Sequence, residues 1–233
     1  MSHKILWLVV ARAGSKSIPD KNIKLLSGIP LLAHRIRSAK KTKYPESVWI
    51  STDSKKYANI ALKNGAQVNF IRPKSLAQDN TNSADVVLHA MNYAIENNYQ
   101  FDYIGLLEPT SPFITSDQLN KSLKKLISHP IAESIVAVRE SRPNTIFIQD
   151  ESIYLDKIAK NINKNNKIGR QNFRKQITPS GGFYISKWKS FLNNKTFYTS
   201  KTIHFLVDEI SALEIDEPID FLFAEFISQK IKI

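Results

Sequence analysis

An apolar run over residues 5–11 ends abruptly at a loop that carries Arg12, Lys16 and Lys21. A run this short and this apolar is typical of a strand buried on both faces, as in a parallel sheet covered by helices. In such folds, ligands bind at the loops that follow the strands. Any one of these cations alone would most simply be an exposed turn residue. Three of them within ten residues, directly after a strand, favour a binding loop for a polyphosphate.

Strand-like and helix-like segments alternate along most of the chain. The predicted strands cover residues 5–11, 47–52, 67–72, 103–107, 134–138 and 181–185. The predicted helices cover residues 31–41, 55–64, 83–97 and 116–128, and a last helix follows Glu217-Pro218. This alternation predicts an α/β fold with a mostly parallel sheet sandwiched by helices.

Residues 141–178 interrupt the alternation. An Asn- and Lys-rich run at 161–167 is typical of an exposed loop. The segment nevertheless has too many apolar side chains for a linker, namely Ile146, Phe147, Ile148, Ile153, Tyr154 and Leu155. We therefore predict a β-hairpin-like arm that needs a partner surface, beside an α/β domain made of residues 1–140 and 179–233.

Composition limits the class of protein. The chain has 233 residues, of which 42% are hydrophobic, and this is enough for a sizeable core. It has no cysteine, which excludes disulfides, thiolate catalysis and cysteine-based zinc sites. No apolar run approaches the roughly 20 residues of a membrane span, and the N-terminal run is too short for a signal sequence. We expect a cytoplasmic protein that does not bind a membrane.

The net charge of +12 raises nucleic acid as a class of partner. The lysines, however, are spread over segments that should face water, and no RNP-like or helix-turn-helix pattern accompanies them. A basic nucleic-acid-binding module therefore stays an alternative. We expect the local cation cluster to serve an anionic small molecule, with no nucleic acid bound.

Two common phosphate-binding motifs are absent from the sequence. The loop at 12–21 does not match G-x-x-x-x-G-K-[ST], and G-x-G-x-x-G does not occur. Backbone amides with Arg and Lys side chains can hold a nucleotide instead. We assign phosphate contacts to Arg12 and Lys21, with Lys16 as a weaker third, and neutral hydrogen bonds to Ser15 and Asn22.

Two further polar segments follow predicted strands. Arg72-Pro73, with Asp79 and Ser83 beyond it, should lie on the same sheet edge as the first loop. Ser83 also fits the N-cap of a helix, and Asp79 fits a loop. The run Glu108-Pro109-Thr110-Ser111-Pro112 has two prolines and two hydroxyls, which predicts a rigid polar rim.

A pair of carboxylates lies near the C-terminus. Glu214 and Asp216 are two residues apart, so they point to the same side of an extended chain. Such a pair suits Mg²⁺, whose coordination shell is often completed by phosphate oxygens. The alternative is an acidic helix N-terminus, which the helix dipole favours.

The first loop also carries a family resemblance. Ala11-Arg12, Gly14-Ser15-Lys16, Pro19 and Lys21-Asn22 resemble the nucleotide-binding signature of the acylneuraminate cytidylyltransferases, the CMP-sialic acid synthetase family. Further motifs of that family resemble the segments at 72–83, 106–112, 181–185 and 213–218.

This resemblance implies a nucleotide-diphospho-sugar transferase-like, Rossmann-like fold and a homodimer joined by the arm. It implies Mg²⁺-dependent transfer of CMP from CTP to an acidic nine-carbon sugar, whether sialic, legionaminic or pseudaminic. The implied catalytic residues are Arg12, Lys21 and Asp216. The implied nucleotide-binding residues are Ala11, Arg12, Ser15, Lys16, Asn22, Arg72, Asp79 and Ser83. The implied sugar-binding residues are Glu108, Thr110, Ser111, Arg170 and Tyr184, with Arg170 reaching across the dimer, and the implied metal ligands are Asp216 and Glu214.

The sequence departs from the family pattern mainly at the sugar end. Glu108 stands where the best-known sialic acid enzymes have Gln, and an ionised carboxylate only accepts hydrogen bonds, which argues against N-acetylneuraminate itself. Glu214 replaces Asp, Ser180 replaces Asn, and Thr145 and Thr178 replace cations. Two alternatives follow: a cytidylyltransferase for an eight-carbon acid such as 3-deoxy-octulosonate, whose Lys-Pro differs from Lys21-Asn22, and a non-catalytic homologue.

Overall fold

A computed structural model of the protein describes residues 3–44, 47–141 and 176–231. Its strands are β1 (Ile5–Val10), β2 (Leu25–Leu26), β3 (Ile29–Pro30), β4 (Ser47–Ser51), β5 (Tyr103–Leu107), β6 (Ser134–Glu140), β7 (Ile177–Lys187) and β8 (Thr202–Leu206). Its helices are α1 (Leu31–Lys40), α2 (Lys55–Lys63), α3 (Ser83–Glu96), α4 (Ser116–Ile127), α5 (Trp188–Asn194) and α6 (Pro218–Ser228). Short 3-10 turns lie at Lys21–Ile23 and Lys74–Leu76.

Six strands form one sheet in the order β4-β1-β5-β7-β6-β8. β1 pairs in parallel with β4 and β5, and β6 pairs in parallel with β8. Only β7, among the described strands of this sheet, runs antiparallel to its neighbours, β5 and β6. The predicted α/β fold with a mostly parallel sheet is confirmed.

Both faces of the sheet are covered, which explains why β1 is apolar throughout. Ile5, Trp7 and Val9 pack with α1 and α4 on one face, and Leu6 and Leu8 pack with α3 and α5 on the other. Successive side chains of a strand point to opposite faces, so a strand covered on both sides has no position for a polar residue. A third, smaller cluster joins α6 to the β2–β3 hairpin.

The segment predicted as a strand at 67–72 is not one. Gln67 forms an isolated bridge with Trp49, and the next backbone bond to this edge joins Arg72 N to Thr52 O at 2.8 Å. Between them Val68 packs against one core cluster and Phe70 against the other. The apolar pattern there reflects side-chain packing over the sheet edge, not a continuous ladder.

Other boundaries moved slightly or were missed. Thr115, not Ser116, caps α4, in a capping box with Gln118. The sequence analysis did not predict the β2–β3 hairpin, α5 or the edge strand β8. β7 begins at Ile177, so the end of the predicted arm belongs to the sheet, while residues 142–175 of that arm, with Arg170, lie outside the described residues.

No helix in the described parts of the chain is both long and apolar enough to cross a membrane.

Gly105 in β5 lets Trp7 of the neighbouring strand lie across the sheet. A Cβ at position 105 would overlap the Trp7 ring at Cε3 and Cζ3. We expect Gly105→Ala to lower the free energy of unfolding by about 1–3 kcal/mol, the usual cost of overpacking a core. Urea denaturation measures this. In a Trp7→Leu background the same substitution should cost clearly less, and an equal cost would contradict the proposed overlap.

Candidate active site

The loop after β1 is held in place by side chains from distant segments. Ala13 N donates to Asp53 Oδ1 at 2.9 Å, and Asn22 Nδ2 donates to Arg12 O at 3.0 Å. The backbone of Gly14 has φ +78°, a conformation that glycine adopts without strain. The loop therefore leaves the sheet edge in a defined shape, and Asn22 contributes to that shape as well as to the cavity wall.

Lys21 ties this loop to the segment that carries the carboxylate pair. Its Nζ donates to Ile215 O at 2.8 Å and lies 3.3 Å from Asp216 Oδ1. Ser17 Oγ donates to Asp216 O at 2.6 Å. Residues about two hundred positions apart in sequence thus meet at one edge of the sheet, as the sequence analysis predicted for Lys21 and Asp216.

A cavity of about 400 Å³ opens at this edge. The predicted site residues that line it are Arg12, Ser15, Lys16, Lys21, Asn22, Arg72, Asp79, Ser83, Glu108 and Thr110. They come from the loops that follow β1 and β5, from the segment between α2 and α3, and from the start of α3. The structure thus brings together most of the residues that the sequence analysis singled out.

Asp79 is the counter-ion of the cationic loop. Its carboxylate lies 2.7 Å from Arg12 Nη2 and also pairs with Lys16 Nζ. Hydrogen bonds from Lys16 and then Arg12 lower the pKa of Asp79 below its usual range. A carboxylate therefore stands among the cations that the sequence analysis assigned to phosphates.

Arg72 is buried in the cavity wall, and its guanidinium group has unused hydrogen-bond donors. Arg72 is 5% exposed, and its Nε and Nη2 have no hydrogen-bond partner among the described residues. Burial lowers the pKa of Arg72, while the nearby Asp53 carboxylate opposes this shift. Buried guanidinium donors without partners are costly, so a ligand with paired acceptors that reached these atoms would be stabilised by them.

A second cavity, of about 190 Å³, adjoins the first. Both cavities share Ser83 and Glu108. The second is lined further by Asn82, Ala84, Leu106, Tyr184, Thr196, Phe197 and Tyr198. The Tyr184 ring packs against Phe197, with ring centroids 5.5 Å apart, so Tyr184 serves both the core and the cavity.

Ser83 is not the N-cap of α3. Asn82 takes that place, and its side chain accepts from Ala84 N at 2.9 Å. The helix-capping alternative for Ser83 is therefore wrong. Ser83 instead lines both cavities, at their junction.

Glu108 lies at the junction of the two cavities and is largely buried. Burial raises the pKa of Glu108 to about 7, the Glu214 and Asp216 carboxylates add to the rise, and Arg35 opposes it. No described residue donates a hydrogen bond to this carboxylate. A ligand group that donates a hydrogen bond would thus find an unpartnered acceptor here.

Arg35 of α1 packs beneath the junction of the two cavities and stabilises it. It is fully buried, and it donates to Ile114 O and to Gly182 O, both at 3.0 Å. Burial lowers the pKa of Arg35 to about 9, and the Glu108 carboxylate opposes that shift. Arg35 thus joins the segment that follows β5, at Ile114, to β7, at Gly182.

The two carboxylates of the pair, Glu214 and Asp216, have different contacts. Glu214 Oε1 accepts from Gly181 N at 2.7 Å, whereas the exposed Asp216 side chain faces Lys21. Glu217 and Asp220 form the capping box of α6, and Asp216 lies directly before it, so the acidic helix start remains an alternative for Asp216. Within residues 3–44, 47–141 and 176–231, no group of three or more His, Asp or Glu side chains forms a metal cage.

Four of the described predicted residues line neither cavity: Ala11, Ser111, Glu214 and Asp216. Ala11 is fully buried in the core, so only its backbone can face a ligand. Ser111 is also fully buried, and no described residue forms a hydrogen bond with its Oγ. The sequence analysis missed Asp53, Arg35 and Tyr198, although Asp53 follows β4 directly and the rule of strand-end loops would have found it.

Comparison with known proteins gives the class of this α/β protein, a nucleotidyltransferase, and its family. The cytidylyltransferase family model matches residues 6–230, and the chain belongs to that family.

Several relatives are similar over nearly the whole chain. The CMP-N,N'-diacetyllegionaminic acid synthase of Legionella pneumophila is 32% identical, with 95% of both chains covered. The N-acylneuraminate cytidylyltransferase of Escherichia coli O18:K1:H7 is 30% identical, and the match covers 99% of this chain but 53% of that longer relative. The pseudaminic acid cytidylyltransferase of Campylobacter jejuni serotype O:2 is 27% identical, with 96% of both chains covered.

Among solved structures, CMP:2-keto-3-deoxy-manno-octonic acid synthetase complexed with CTP has the same fold. The TM-score is 0.70 at 14% identity, with 98% of this chain and 100% of that chain covered.

The raised pKa of Glu108 predicts a pH-dependent stability. The protonated form is favoured in the folded state, so its contribution is complete below about pH 4.5 and is lost as the pH rises through about 7. Relative to Glu108→Gln, the wild type should lose up to about 3 kcal/mol of unfolding free energy between pH 5 and pH 8. Denaturation curves at several pH values in metal-free buffer measure this. The exposed Glu209→Gln variant is the control, and parallel pH profiles for wild type and Glu108→Gln would contradict the prediction.

Proposed function

We propose that this protein transfers CMP from CTP to an acidic nine-carbon sugar, giving a CMP-sugar and pyrophosphate. The anomeric hydroxyl oxygen of the sugar attacks the α-phosphorus in line. The new P–O bond forms as the bond to the β-phosphate oxygen breaks, and the hydroxyl proton passes to solvent. The relatives named for legionaminic, acylneuraminic and pseudaminic acids support this choice of sugar class.

The observation that carries the proposal is the composition of one cavity wall. Three cations from the first loop face the buried Arg72, whose Nε and Nη2 lack partners. Cytosine offers adjacent acceptors at O2 and N3, which two guanidinium donors can bind, whereas uracil carries a hydrogen at N3. The cations suit the triphosphate of the same nucleotide.

Arg12 and Lys21 are the groups proposed to stabilise charge on the leaving pyrophosphate. Positioned cations are the main catalytic device in phosphoryl transfer, because the protein has little covalent chemistry to perform. Binding of the triphosphate requires Asp79 to give up Arg12 and Lys16, since its carboxylate occupies the place of an anion. Asp79 thus keeps the cations paired until the nucleotide arrives.

The chemistry of the donor set fits Mg²⁺ at Asp216 in part. Mg²⁺ commonly takes one or two protein carboxylates and completes its shell with phosphate oxygens and water. Asp216 is exposed beside Lys21 and can serve, whereas one oxygen of Glu214 is engaged by Gly181 N. A bound Mg²⁺ would neutralise phosphate charge. The residues of the chain hold and orient the nucleotide around it.

The second cavity is proposed to receive the sugar. Tyr184, Phe197 and Tyr198 offer apolar ring faces, and Glu108 offers an acceptor at the junction where the sugar meets the α-phosphate. An acidic sugar is compatible with Glu108 only if the group beside that carboxylate donates a hydrogen bond, such as a hydroxyl or an amide N–H. The proposed contact of Arg170 and the homodimer through 141–178 stay predictions.

The eight-carbon sugar acid is the weaker candidate. The solved structure named for 2-keto-3-deoxy-manno-octonic acid shares 14% identity, which supports the fold alone. The relatives at 30% and 32% identity are named for nine-carbon sugars.

Lys21→Ala tests the role of the first loop. We expect turnover to fall by at least about 100-fold, the usual effect of removing one group that stabilises a developing charge. Steady-state pyrophosphate release measures it, with circular dichroism to confirm the fold. The matched control is Lys56→Ala, since Lys56 pairs with Asp20 and does not line the cavity. Near-normal turnover of Lys21→Ala would refute the assignment.

Pyrophosphate release across a panel of nucleoside triphosphates and nonulosonic acids tests the function itself. We expect release that requires both CTP and a nine-carbon acid. Arg72→Leu should lower the kcat/KM for CTP most, so that this value approaches the kcat/KM for UTP. The surface change Arg37→Leu should not have this effect. Failure of every nonulosonic acid to support release would overturn the proposal.

A further inference from the structure

The two cavities differ in the sign of their charge. Four cations and two acids line the first cavity. Among the described residues that line the second, Glu108 is the only charged one. An acidic sugar would therefore direct its own carboxylate towards the first cavity, since like charges repel. The second cavity then receives a different substituent of the sugar.

Glu108 has a second carboxylate beside it. Glu214 Oε1 accepts from Gly181 N, and Glu214 Oε2 lies 2.7 Å from the position that a Cβ on Gly181 would take. Glu108 Oε2 lies 3.1 Å from the same position. The two oxygens thus face one small space, which a glycine at this position leaves open. No described residue donates a hydrogen bond to either of these oxygens.

Aromatic rings form the rest of this wall. The Tyr184 ring lies 5.5 Å from the Phe197 ring and 6.2 Å from the Tyr198 ring, measured between centroids. Burial and then the Glu108 carboxylate raise the pKa of both tyrosines, so both hydroxyls lie within electrostatic reach of Glu108. The face of an aromatic ring is negative and attracts cations. Rings beside a carboxylate therefore favour an organic cation.

Arg35 does not pair with the carboxylates of this site. Its guanidinium group donates to the backbone oxygens of Ile114 and Gly182. Hydrogen bonds between a charged donor and a carboxylate are about twice as strong as those between neutral groups. A positively charged ligand group would thus satisfy Glu108 better than a neutral amide N–H.

We propose that the second cavity binds a cationic nitrogen substituent of the sugar, an amine or an amidine, and that Glu108 determines this specificity. The inference rests on the proposed function, because it names the class of nine-carbon acid that the site accepts. An amidine suits the site best, since its planar pair of N–H donors matches a carboxylate as a guanidinium group does. Its apolar part would pack against the rings of Tyr184 and Phe197.

The first test compares two sugars of the same shape. An acetamidino group has a charged nitrogen where an acetamido group has its carbonyl oxygen. Nine-carbon acids that differ only in this group, at each nitrogen-bearing carbon in turn, isolate the effect of charge. We expect a kcat/KM at least about 10-fold higher for the amidine at one of these carbons, since charged hydrogen bonds contribute more than neutral ones. Pyrophosphate release with CTP measures this.

Glu108→Gln should abolish the preference for the amidine, because the neutral side chain no longer pairs with a cation. Retained turnover of the acetamido sugar would show that this variant is folded. The matched control is Glu96→Gln, the same change of charge at an exposed residue at the far end of α3, and it should keep the preference.

Two results of this comparison would overturn the inference while the proposed function stands. One is an equal or lower kcat/KM for the amidine at every carbon in the wild type. The other is a preference that Glu108→Gln leaves unchanged. Either result would favour a cation from residues 142–175, such as Arg170, as the partner of Glu108.

The second test needs no turnover. Benzamidine and benzamide are planar probes that differ in charge, and their binding is followed by NMR titration in metal-free buffer. We expect benzamidine to bind the wild type in about the millimolar range and to shift the amide resonances of Ala84 and Gly181. Benzamide should bind more weakly, and Glu108→Gln should remove the difference.

The probes separate this inference from the proposed function. Equal or absent binding of the two probes, or benzamidine binding that Glu108→Gln leaves unchanged, would overturn the cation site even if sugars are turned over. Selective binding of benzamidine that depends on Glu108 would support the cation site even if no nine-carbon acid supports pyrophosphate release, a result that would refute the proposed function alone.

Discussion

The burial of β1 between two parallel neighbours, under helices on both faces, is the constraint from which the site follows. β1 pairs with β4 on one side and β5 on the other, so the loops after all three strands emerge at the same edge. The ladder continues past the end of the strand, because Ala11 N donates to Ser51 O at 3.0 Å. The first cation, Arg12, therefore leaves the sheet at a fixed point beside the polar groups of the neighbouring loops.

The electrostatics of this edge are divided into two regions. Around the first loop, cations exceed acids, and Asp79 alone pairs with both Arg12 and Lys16. Around the junction of the two cavities, Glu108 and Glu214 lie close together, and a Cβ at position 181 would touch both carboxylates. Under the proposed function, the triphosphate is the ligand of the first region, and a hydrogen-bond donor of the sugar is the ligand of the second. Each region is costly without its ligand, which is common for binding sites that are already formed.

The neighbouring segments show how one element can serve both the fold and the site. Ile215 lies between the two carboxylates, fully buried, and its N donates to Thr110 O at 2.8 Å. This bond holds Glu214 and Asp216 beside the rim after β5. α6 begins directly after this segment, so the start of the helix lies close to this edge of the sheet.

The sequence alone determined the fold class and most of the first cavity, because short apolar runs and the loops after them are local patterns. It also singled out Arg12 and Lys21 by residue type and by position after a strand, whereas Arg72 was placed after a predicted strand that is not one. It could not distinguish the ladder of β4 from the packing of residues 67–72, since both require alternating apolar side chains. Only the tertiary structure decided that Gly181 N holds Glu214, and that Glu108 lies between two cavities with no hydrogen-bond donor among the described residues. Those outcomes depend on contacts between residues far apart in the chain, and no local pattern encodes such distances.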